Sequence, residues 1–231
     1  MDAGSAGTRR GRLVAASVGV LLVITAGHAA PAAASQRPGH TVSGEATTAQ
    51  RVIVLEAWTR FTSYFTQQWD CMPDLEIRIV PTAEEHYRGP AGSITAFYRD
   101  LPEPIVFVES AALAPELLFH EFAHHLDLSC RIGESRFAPR FKDAQGLPAD
   151  RPWTAGPSWA AVPAEHLSEA VLAVMGFPST RIQLTVASLS LVAELGDPRH
   201  AVGPAAFAGL TRHLPITGDR LVTTQPAEGP L

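Results

Sequence analysis

The sequence predicts an α+β domain, with a small antiparallel or mixed sheet packed on helices. Strand signals cluster in one block between residues 75 and 108, while stretches of helical periodicity precede and follow that block instead of alternating with it. The composition agrees: 231 residues, 46% hydrophobic and 18% charged, are ordinary for a globular chain and suit one domain.

The chain opens with a segment that carries no fold information. Arg9, Arg10 and Arg12 precede an uncharged run from Leu13 to Gly27, and Ala32-Ala33-Ala34 supplies a small-residue cleavage pattern. Residues 1–34 therefore read as a secretory signal, and Thr8-Arg9-Arg10 hints at twin-arginine export. The alternative is an uncleaved anchor through residues 13–36, although Gly19, Gly27 and Pro31 dilute its hydrophobicity. The expected location is outside the cell, either free or membrane-anchored with the domain outside. Net charge is −5, so there is no basic footprint for nucleic acid.

Ser35 to Gln50 is small and polar and reads as a flexible leader. The domain is placed at 51–214. Val54, Trp58, Phe61, Phe65 and Trp69 recur at helical spacing, and Pro73 ends that helix. Leu75–Val80 alternates apolar and charged residues as a strand does. Residues 92–98 and 105–108, separated by the Asp100–Pro104 turn, read as an antiparallel hairpin. A helix follows around residues 117–127. Residues 131–162 are rich in Pro and Gly and read as a long loop in which Trp153 and Trp159 either line a cleft or cover the core. Helical pattern resumes at Glu165–Met175, stopped by Gly176 and Pro178. A further segment runs to Leu195 and leans helical. Ala205–Leu214 reads as a last short helix, and 215–231 as a disordered tail. Cys71 and Cys130 each follow a predicted helix end. An even cysteine count in an oxidising compartment favours a bridge between them, tying the entry helix to the end of the 117–127 helix.

That last helix holds the chemistry. His120-Glu121-Phe122-Ala123-His124 is an H-E-x-x-H pattern, framed by Leu117, Leu118, Phe119 and Leu126, with no Gly or Pro until Gly133. Pro115 suits the first helical position and Glu116 the positive end of the dipole. Side chains four apart share a helix face, so His120 and His124 aim two imidazoles at one point, as two tetrahedral zinc ligands require. Glu121 is turned about 100° from His120. Its carboxylate stands beside such a metal, placed to take a proton from the attacking water. A catalytic zinc needs a third protein ligand, which the pentapeptide does not supply.

H-E-x-x-H on a helix, preceded by a hairpin and followed by a second helix bearing E-x-x-x-E, resembles the zincin metallopeptidases. It is closest to their gluzincin branch, to which thermolysin and the anthrax lethal factor protease belong. The resemblance spans about Leu75 to Met175. It implies a zincin-like fold, one Zn2+ ion, peptide or protein substrates, Glu165 as third ligand, and Glu169 as the acid that orients a ligand histidine. Glu165 and Glu169 share one helix face, as that division of labour requires. The metzincin extension is disfavoured, because Asp127 and Cys130 stand where it needs Gly and His. Asp127, three residues beyond His124, reads as a carboxylate supporting the ligand set. His125 points away from the metal face, His166 reads as exposed, and His200 and His213 have no partner pattern. Tyr87, His86 and Tyr98 are candidates for stabilising an oxyanion. The implied activity is zinc-dependent peptide hydrolysis with Glu121 as general base. The alternative is a non-catalytic zinc- or partner-binding domain of the same shape.

Overall fold

The computed structural model describes residues 36–87, 94–100 and 102–196. The predicted signal or anchor, the helix at 205–214 and the tail lie outside them. Among the described residues the fold is α+β. A four-stranded sheet comprises β1 (His40–Gly44), β2 (Leu75–Val80), β3 (Ala96–Arg99) and β4 (Ile105–Glu109). Five helices accompany it: α1 (Thr48–Tyr64), α2 (Pro115–Ser129), α3 (Phe137–Gln145), α4 (Pro163–Val174) and α5 (Val186–Leu195). No described helix is long and apolar enough to cross a membrane.

The sheet order is β1-β2-β4-β3. β1, β2 and β4 are parallel, with Ile77 opposite Val42 on one side and Val106 on the other. β3 pairs antiparallel with β4, Phe97 opposite Phe107, so the expected hairpin forms and β3 is an edge strand. Alternation sorts the faces. Leu75, Ile77, Ile79, Val106 and Val108 enter the main core, whereas Ile105 and Phe107 form a smaller apolar cluster on the opposite face.

Two expectations are corrected. The segment 35–50 is not a leader throughout: residues 40–44 form β1, whose order comes from pairing with β2, and α1 begins at Thr48. Thr47 and Gln50 cap each other's backbone amides there, a reciprocal box that starts the helix ahead of its apolar stripe. The stretch 131–162 is likewise not one long loop. It contains α3, with Pro139 in the first turn where its missing N–H costs nothing, and Gly146 closing the helix at φ 73°.

The main core positions α2. Trp58 and Phe61 of α1 meet the Phe122 ring edge-on, with centroids 5.0 and 5.5 Å away. Cys71 and Cys130 are disulfide-bonded, Cα atoms 5.0 Å apart, which pins the C-terminal cap of α2 to the chain leaving α1.

Candidate metal centre

Two helices with the same opening build the site. Each begins with a proline behind an extended residue, Ala114-Pro115 in α2 and Val162-Pro163 in α4, and each carries a glutamate in its first turn. Leu118, Phe119, Phe122 and Ala123 of α2, with Leu167, Ala170, Val171 and Val174 of α4, are buried in one core. Their packing brings His120 and His124 against Glu165, although 41 residues separate His124 from Glu165 in sequence.

His120 Nε2 lies 3.1 Å from Glu165 Oε2, and His124 Nε2 lies 3.5 Å from the same oxygen. One donor atom from each of the three residues falls within 4.8 Å of the others, so the group could hold a metal ion. Zinc bonds to nitrogen and oxygen of about 2.0–2.1 Å set tetrahedral ligand–ligand edges of about 3.3–3.4 Å. The two measured separations straddle that value, so the residues fit a small divalent cation. The other nitrogen of His120, Nδ1, is 3.3 Å from Glu169 Oε1. A histidine held this way has its ring plane fixed from behind. Ser168 Oγ stands 3.4 Å from both nitrogens of His124.

The electrostatics describe a pocket built for positive charge. Burial pulls His120 toward neutrality, but hydrogen bonds to Glu165 and Glu169 and the nearby Glu121 charge outweigh it and lift its pKa to about 10. Burial pushes Glu165 the opposite way, yet the two imidazoles hold its carboxyl well below the ordinary range. A proton on His120 thus sits where a cation would. Glu121, 5% exposed, has its carboxyl raised, chiefly by burial. The His120 and His124 charges and the Tyr98 backbone N–H act against that rise, and the Glu165 charge adds to it.

The remaining candidates separate cleanly. Asp127 makes no hydrogen bond to His120 or His124: its carboxylate accepts the Trp153 indole N–H at 2.6 Å and the Gly133 amide at 2.9 Å, and it meets His124 only through its charge. Trp153 lies so close on Gly133 that a Cβ there would come 2.2 Å from the indole. His125 is structural, as expected. It is fully buried, with Nε2 donating to the Pro73 carbonyl and Nδ1 beside Tyr98 and Ser129. His166 is buried, not exposed, because its Nε2 donates to the Ala160 carbonyl and ties a short turn to α4. The Tyr98 hydroxyl donates to Asp100, His86 stacks on Phe107, and Tyr87 meets Phe97 edge-on. Phe107 belongs to the sheet face opposite α2, so neither His86 nor Tyr87 reaches the donors.

Ser168 and Arg181 escaped the sequence reading, and Trp159, read there as cleft lining or core cover, was not tied to the donors. Ser168 follows Glu165 by three residues, and that helical spacing could have found it. Trp159 stacks on the His120 ring, 6.1 Å between centroids and 24° between planes, and Arg181 lies over Trp159. Neither has a local signal, since both arrive from irregular segments. A cavity of about 430 Å³ beside the disulfide, lined by Asp70, Met72, Asp100 and Ser129, holds none of the donors. No family model, characterised protein or solved structure matches the chain.

Proposed function

We propose that this chain is a secreted zinc-dependent peptidase, similar in plan to the gluzincins. The convergence of His120, His124 and Glu165, with Glu121 on the same helix, carries the reading. A bound zinc ion would polarise a scissile carbonyl and make an attacking water more acidic. Glu121 is the general base, and its raised carboxyl suits it both to accept a proton and to return it to the departing amine. Glu169 keeps His120 in the orientation that binding needs. β3 supplies the substrate platform. Thr95 accepts a ladder hydrogen bond from Glu109, so the antiparallel alternation turns the Tyr98 amide to the open edge, against Glu121. An extended peptide added along that edge would run past the base. Export through the N-terminal segment accords with the disulfide.

The test is metal analysis of the purified chain together with hydrolysis of a fluorogenic peptide library. One zinc per chain, chelator-sensitive cleavage, and a Glu121→Gln variant that retains zinc but loses cleavage are expected. Stoichiometric zinc with no cleavage of any peptide would favour the non-catalytic zinc-binding alternative, and no zinc uptake would remove the peptidase and leave only the partner-binding form of that alternative.

A further inference from the structure

The geometry points to Arg181 as the residue that selects substrates carrying a carboxylate close to the scissile bond; this rests on the peptidase reading and names its substrate class. Arg181 follows α4 and is exposed. Its guanidinium carbon lies 5.6 Å above the Trp159 ring, and that ring stacks on His120 with 6.1 Å between centroids. Together the two separations place the cation no more than about 12 Å from the ligand imidazole. An extended peptide advances about 3.3–3.6 Å per residue, so a carboxylate bound by Arg181 belongs to a residue within about three of the cleaved bond.

The mount is rigid on both sides. Trp159 begins a short turn whose Ala160 carbonyl accepts from His166 of α4, the neighbour of Glu165. On the other side, the amides of Arg181 and Ile182 donate to the hydroxyl oxygen of buried Ser179. The side chain is also free to bind. Arg78, Arg131 and Arg140 are paired with glutamates, whereas no carboxylate among the described residues lies within 4 Å of the Arg181 guanidinium. Its only close partner there is an aromatic face, which leaves the in-plane N–H groups free for a carboxylate.

Two peptide pairs distinguish the possible sources of the carboxylate: Asp against Asn at the positions flanking the scissile bond, and a free C-terminus against its amide. The protein is full-length and zinc-loaded, tested as wild type, Arg181→Gln and Arg181→Glu. Hydrolysis is read as kcat/KM, and binding is read separately from Trp fluorescence in a Glu121→Gln background. Wild type should favour the carboxylate member of one pair by about tenfold, the effect of a single charge-assisted contact at an exposed position. Arg181→Gln should abolish that preference while leaving the neutral member within about threefold, and Arg181→Glu should reverse it. Equal loss on both members, or an unchanged preference in Arg181→Gln, would overturn the assignment while leaving the peptidase reading intact. Carboxylate-selective binding that Arg181→Gln removes, without hydrolysis of any peptide, would uphold the assignment as a binding site and defeat the peptidase reading.

Discussion

Glu169→Gln separates a supporting carboxylate from a ligand. Glu169 is 2% exposed and reaches His120 through Nδ1, at 3.3 Å, while Glu165 faces Nε2 from the other side. The amide is nearly isosteric, so packing of α4 on α2 should survive. What changes is the charge behind the imidazole. Removing such a carboxylate typically weakens metal binding 10–100-fold, or about 1.4–2.7 kcal/mol. The assay is zinc competition against a chromophoric chelator, with thermal unfolding measured at fixed free zinc, where the loss should reappear as a smaller zinc-induced stabilisation. A third readout needs no metal. In the zinc-free chain His120 owes its raised pKa partly to Glu169, so the variant should titrate at lower pH in imidazole NMR spectra. Affinity within twofold of wild type, together with an unmoved His120 titration, would refute the orienting role. Complete loss of zinc would instead make Glu169 a ligand.

The other predictions concern the frame. Replacing both Cys71 and Cys130 by serine opens a loop spanning 59 residues and should lower stability by about 4 kcal/mol in denaturant titrations, the chain-entropy value for that length. A loss below about 1 kcal/mol would show that the bridge adds little constraint. Burial lowers the His125 pKa to about 4, against 6.5 unperturbed. Because the folded value is the lower one, its contribution is full above about pH 6.5 and is lost as pH falls toward 4, in total roughly 3 kcal/mol. The stability difference between wild type and His125→Gln should therefore shrink over that window; a constant difference would mean that His125 does not titrate with unfolding.

Much of the frame could be read directly because local rules and tertiary context agree there. β2 occupies Leu75–Val80 as its alternation predicts, and Pro115 and Pro163 mark two helix starts. Glu165 enters through the resemblance to the gluzincins, and the helical spacing that sets it on one face with Glu169 agrees with that carry-over. The failures have a different physics. β1 contains His40, Thr41 and Ser43 and has little strand character of its own; a partner 35 residues away orders it. Pro139 looks like a breaker until its first-turn position is known. Asp127 has the right spacing to face His124, but Trp153 and the Gly133 amide compete for its oxygens and win. Trp159 and Arg181 are invisible to periodicity because their meeting depends on how two irregular segments are held against α4.

Glu165 and Glu169 grip one imidazole by its two nitrogens from positions one helical turn apart, about 6 Å along the axis. That grip makes the centre a gauge of how α4 is seated. A twist of α4 by one residue would swing both carboxylates off the ring, and a slide of 1 Å would stretch one contact while compressing the other. Substitutions at Leu167, Ala170 or Val171, all sealed from solvent, should therefore change zinc affinity without touching a donor. Ranking such interior variants by zinc affinity would measure helix registry at a finer scale than their melting temperatures do.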